Sequence, residues 1–135
     1  MAIVNLGETL KSYILRRNQL NLEISELQSK KSLATYSQAD VQSLQSAETR
    51  SIRRKYKEEY DADAALQEKY KNYTEMPDFE DEIDKITAKF QDQLDELSAW
   101  EVSIDAQITT NSTELEEVKA YIDSNKSMLS SNIQE

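Results

Sequence analysis

Two places in the chain gather carboxylates closely enough for metal or acid–base chemistry: Asp61 with Asp63, and the run Asp78, Glu80, Asp81, Glu82 and Asp84. A calcium loop opening at Asp61 would need glycine at its sixth position and glutamate at its twelfth, where the chain has Leu66 and Asn72. The second group follows Pro77. A proline followed by acids is the pattern of a helix start, where the missing N–H costs nothing and negative charge meets the positive end of the helix dipole. The chain has neither histidine nor cysteine, which removes the commonest general bases, nucleophiles and zinc ligands. The acids therefore read as solvated helix face, and the expectation is no enzyme, no metal and no cofactor.

Arg50, Arg53, Arg54, Lys55 and Lys57, beside Tyr56 and Tyr60, are the one patch with the composition of a nucleic-acid surface. A net charge of −10 opposes the long-range positive field that phosphate binding relies on, so nucleic acid is disfavoured. Asn72-Tyr73-Thr74 and Asn111-Ser112-Thr113 match the glycosylation acceptor pattern. Nothing else in the sequence points to a secretory history.

The elements that carry these residues are legible from spacing. Phe79, Ile83, Ile86, Phe90, Leu94, Leu97, Ile104, Ile108, Leu115, Val118, Ile122, Leu129 and Ile133 recur at steps of the helical repeat. This predicts one very long helix from Pro77 onward, with Trp100 and the tyrosines as core or contact residues. Asn111 and Asn125 fall on the same stripe, where a buried Asn can fix register. Upstream, Ile3, Leu6, Leu10, Tyr13, Leu20, Ile24, Leu27, Ala34 and Val41, then Leu44, Ile52, Tyr56, Leu66, Tyr70 and Tyr73, carry a second stripe. It thins over Lys30 to Gln38, where Ser37, Gln38, Ala39 and Asp40 resemble a capping box.

The predicted fold is all-α, a long antiparallel coiled-coil-like hairpin forming one elongated domain over 1–135. Its first arm covers about 3–74, the turn 75–78 and the second arm about 78–132. A break near Ser37 would give a three-helix bundle instead.

Residues 1–57 hold ten Lys/Arg and five Asp/Glu, whereas 58–135 hold six and twenty-one. A fold-back at Met76 and Pro77, placing residue i near 153 − i, would let these opposite charges pair. It sets Arg53 and Arg54 near Asp95 and Glu101, and Lys57 opposite Glu96. It also pairs Tyr73 with Phe79, Tyr56 with Leu97 and Leu20 with Ile133. In that register residues 1 to about 19 have no partner on their own chain. Their apolar members, Ile3, Val4, Leu6, Leu10, Tyr13, Ile14 and Leu15, form a bare patch that invites association.

These features predict a structural, self-assembling protein, a homo-oligomer or filament subunit in contact with other copies of itself. The alternative is a cytosolic adaptor or chaperone-like coiled coil that captures another protein through the apolar N-terminal segment. In layout the chain resembles subunits of bacterial helical filaments, type III secretion needles and flagellar-filament cores included. That resemblance implies burial of both chain ends in contacts between copies. No family motif accompanies the layout. Membrane binding by the overhang is disfavoured, since only Lys11, Arg16 and Arg17 flank it. The start lacks the pattern of a cleaved signal and no window approaches a membrane span, so a cytoplasmic location or signal-independent export is expected.

Overall fold

With one glycine and one proline in 135 residues, the backbone meets almost nothing that stops a helix. The computed structural model describes the backbone of residues 2–134 and side chains within 5–131. It contains two long helices, α1 (Ala2–Ala62) and α3 (Phe79–Gln134), connected through the short α2 (Ala64–Lys69) and a 3-10 turn (Tyr73–Glu75). No β-strand occurs among the described residues, and α1 packs against α3 as an all-α helical hairpin. α1 is continuous through Ser37, so the three-helix arrangement is not adopted.

The first arm ends twelve residues earlier than the sequence suggests, at Ala62 rather than about residue 74. Asp63 turns the backbone extended (φ −129°, ψ 107°) and its side chain accepts from the Ala65 N–H at 2.9 Å, capping α2. Gln67 then reaches back, its Nε2 donating to the carbonyls of Tyr60 and Asp61 at 3.0 and 3.1 Å. Those are carbonyls that a helix C-terminus leaves without partners. The Tyr60 hydroxyl donates onward to the carbonyls of Tyr70 and Lys71, both at 2.9 Å. Asn72 caps the 3-10 turn through its Oδ1, which accepts from Thr74 N–H at 2.7 Å.

Met76, Pro77, Asp78 and Phe79 close a turn with a Phe79 N–H to Met76 carbonyl bond of 3.4 Å. Asp78 sits at φ 69°, the left-handed region that a type II turn requires at its third residue. The Asp78 carbonyl takes the Glu82 N–H at 2.9 Å as the first bond of α3. Glu80, Asp81 and Glu82 fill the first turn, as expected for a helix start after Pro77.

The chain divides into two compact units, residues 1–33 with 101–135, and residues 34–100. In the first, Leu20, Leu115, Val118 and Ile122 form a buried cluster with Leu10, Tyr13, Ile14 and Ile24 packed against it. In the second, Tyr56, Met76 and Phe79 are surrounded by Ile52, Tyr60, Leu66, Tyr70, Tyr73 and Ile83. Each leucine or phenylalanine buried in this way stabilises the fold by about 1.5–3 kcal/mol.

The cross-helix contacts fix the register. Tyr13 meets Tyr121, Glu23 meets Asn111 and Lys31 meets Asp105 in the first unit. Glu48 meets Lys89 and Tyr56 meets Phe79 in the second. Residue i thus lies near 135 − i, not 153 − i. The difference arises because α1 runs past the level of Phe79 to Ala62 while residues 63–78 return beside it, consuming chain that a tight turn would have left in the arms.

Candidate interaction surfaces

The corrected register removes the predicted overhang. Leu10, Tyr13 and Ile14 are packed against the Leu20 cluster, and the Tyr13 ring stacks on Tyr121 with centroids 5.2 Å apart. Leu6 is half-buried, while the side chains of Ile3 and Val4 lie outside the described residues. Among the described members of this group Leu15 alone is largely bare, at 61% exposure.

The predicted ion pairs change as well. Arg53 lies over the Phe79 ring, 5.7 Å from its centroid, and Asp95 is sixteen residues further along α3, about 24 Å at 1.5 Å per residue. The structure therefore does not bring Arg53 and Arg54 to Asp95 and Glu101, nor Lys57 to Glu96. Asp95 instead accepts from Gln91 Nε2 at 2.8 Å, and the charge of Glu101 acts on Lys31. One predicted pair survives: Tyr73 and Phe79 meet edge to face at 5.6 Å, within the connector rather than across two arms.

The ion pairs that do form were not singled out from sequence. Arg16 grips Glu114 with two parallel bonds, Nε to Oε1 at 2.8 Å and Nη2 to Oε2 at 2.9 Å. Gln19 and Glu23 flank the same guanidinium. The hydrogen bond to Glu114 raises Arg16, and the same bond holds Glu114 below the usual carboxylate range. Lys31 bonds Asp105 at 2.8 Å and is raised by it. Burial pushes the Tyr56 phenol up, and its hydrogen bond to Glu82 adds to the rise.

Of the proposed carboxylate sites, Asp63 is a helix cap and Asp81 belongs to a helix first turn. No group of three metal-ligating side chains occurs among the described residues. The grooves are open surfaces, such as the one beside Gln42, Gln45, Ser46, Thr49 and Arg50, which a single helix lines.

Exposed apolar side chains include Val102, Tyr121 and Met128 on α3, but a second row stands out on α1. Leu15, Leu22, Leu33 and Leu44 are 61, 61, 56 and 56% exposed and Tyr36 is 72% exposed. Leu22, Leu33 and Leu44 are spaced by eleven residues, three helical turns, so they share one side. That side is turned away from the one that buries Leu20, Leu27 and Ala34. α1 is therefore apolar on two faces. A second row on α1 is readable from the same eleven-residue spacing, once Leu44 is taken off the core stripe.

Beside it, Arg50, Arg53, Arg54 and Lys57 follow the i, i+3, i+4, i+7 pattern and are all exposed. Arg50 donates from Nε to the Ser46 carbonyl at 3.3 Å. No helix among the described residues is long and apolar enough to cross a membrane.

No known protein family matches the chain, and neither a curated protein nor a solved structure shows significant similarity to it.

Proposed function

We propose that this chain is a structural protein that works by assembly, its copies packing through the outer side of α1 into a homo-oligomer or filament, without catalysis. The observation that carries this reading is the row Leu15, Leu22, Leu33, Tyr36 and Leu44, each more than half exposed. Large aliphatic and aromatic side chains repeated along one side of a helix cost free energy in water, and repeated exposure of this kind marks association surfaces. The even spacing favours helix-on-helix packing of coiled-coil type over a concave small-molecule site.

The test is sedimentation velocity across low to high micromolar concentrations, on the wild type and on Leu22→Glu/Leu33→Glu. The wild type sediments as larger species with rising concentration, and the double variant, altered only at exposed positions, stays monomeric with unchanged helicity. A wild type that remains monomeric throughout defeats the proposal and leaves the adaptor reading, in which a different protein covers the same row.

A further inference from the structure

We infer that the cationic row Arg50, Arg53, Arg54 and Lys57 docks on the acidic outer face of α3, Asp81 and Asp84 foremost, in a second copy of this chain. The inference rests on the self-association reading and names the two surfaces that meet.

The four cations lie within two turns of one helix side, and like charges at those spacings destabilise a helix by about 0.2–0.5 kcal/mol per pair. Inside the chain they receive little in return. Arg50 bonds a backbone carbonyl, Arg53 lies over a ring, and Arg54 and Lys57 are exposed without a carboxylate partner among the described residues. Glu58 and Asp61, four residues beyond Arg54 and Lys57, offset part of this repulsion, and in a protein of net charge −10 the row remains the main cationic surface available to an external anion.

The complementary surface is on α3. Asp81 and Asp84 are exposed, on the side away from Phe79, Ile83 and Phe90, and the pair recurs eleven residues on as Asp92 and Asp95. Asp81 also meets the helix dipole, but that effect fades within the first turn. Asp92 and Asp95 lie beyond it, so the dipole does not account for the row.

The register decides how the surfaces meet. In the second unit Arg54 is level with Asp81, and Arg50 and Arg53 bracket the level of Asp84, because residue i lies near 135 − i. A copy displaced sideways, with no axial shift, brings the outer side of its α1 against the outer side of the neighbour's α3 and sets these charges together. Lys85 and Lys89 border the acidic row, and Lys89 is held by Glu48 at 3.6 Å. The contact is heterologous, so it propagates into an open row unless the rotation between copies closes a ring.

The test uses two full-length variants: Arg50→Glu/Arg54→Glu/Lys57→Glu, which inverts the basic row, and Asp81→Lys/Asp84→Lys, which inverts the acidic one. Each alone sediments as a monomer where the wild type assembles. Mixed, they co-assemble in alternation, because the basic row of the second meets the acidic face of the first and the inverted row of the first meets the inverted face of the second. Raising salt from low to about 0.5 M weakens wild-type assembly roughly tenfold or more. Should either set lower the helicity measured by circular dichroism, the neutral sets Arg54→Gln/Lys57→Gln and Asp81→Asn/Asp84→Asn replace them, each weakening assembly.

Assembly of both variants at wild-type strength overturns this docking while self-association stands. Failure of the mixture to co-assemble overturns it too, as does binding of RNA to the basic row in place of the acidic face. A wild type that never assembles removes the parent proposal as well.

Discussion

Tyr13 and Tyr121 stack at 5.2 Å with their rings 30° apart, so the N-terminal part of α1 lies on the C-terminal part of α3 instead of projecting beyond it. With Arg16, one turn along α1, joined to Glu114, this contact turns the predicted free tip into part of a core. Association must then use surface that the hairpin leaves outside.

Leu20 has 0% exposure and sits among Leu115, Val118 and Ile122. Leu20→Ala removes its buried methyls and leaves a void, at a cost of about 2–5 kcal/mol. Deleting residues 1–18 strips Leu10, Tyr13 and Ile14 from the same cluster and removes the Arg16–Glu114 pair, so the truncated chain also unfolds at lower denaturant. Chemical denaturation followed by circular dichroism measures both. A truncated chain as stable as the intact one, merely smaller in its assemblies, would contradict the packing described.

Asp78 holds φ 69° in the turn that starts α3, a conformation that costs a side-chain-bearing residue about 1 kcal/mol or more and glycine almost nothing. Asp78→Gly therefore raises stability by about 0.5–1 kcal/mol, and Asp78→Val lowers it. Thermal midpoints of the two variants give the sign directly.

The pH dependence has a worked direction at each end. Tyr56 is raised above its ordinary 10.0, first by burial and then by Glu82. Its contribution is complete below pH 10 and is lost as pH climbs through the raised value. Glu114 is held below its ordinary 4.5, so its contribution is present above that pH and fades as acid takes pH through the depressed value. In a spectrophotometric titration of the seven tyrosines, Tyr56→Phe removes a late-ionising phenol. If the variant loses an ordinary early one instead, the burial argument fails.

Much of the hairpin was written in the spacing. Phe79, Phe90, Ile104, Leu115, Val118 and Ile122 are buried where the stripe puts them, and α3 begins two residues after Pro77. Leu20, Leu27, Ala34 and Tyr56 do the same for α1. The break at Asp63 was not legible, because it rests on a lone aspartate cap and on Gln67 reaching back, with neither glycine nor proline to announce it. Register was ambiguous for a related reason. The acids of α3 recur as Asp81, Asp84, Asp92 and Asp95, so the cations near residue 54 find carboxylates opposite them in either alignment, and a 3.6-residue stripe slides without changing face. The exposed row on α1 is masked because the helical spacing admits Leu44 to the core stripe as well.

The connector also orders events in time. Tyr56 and Phe79 are separated by 23 positions along the chain, Tyr13 and Tyr121 by 108. Closing the shorter loop forfeits less chain entropy, so folding nucleates at the aromatic clasp and zips toward the termini, the α1 strand of the zipper waiting for α3 to leave the ribosome. Substitutions at Phe79 accordingly slow the refolding limb of a chevron plot, whereas those at Leu20 chiefly hasten unfolding.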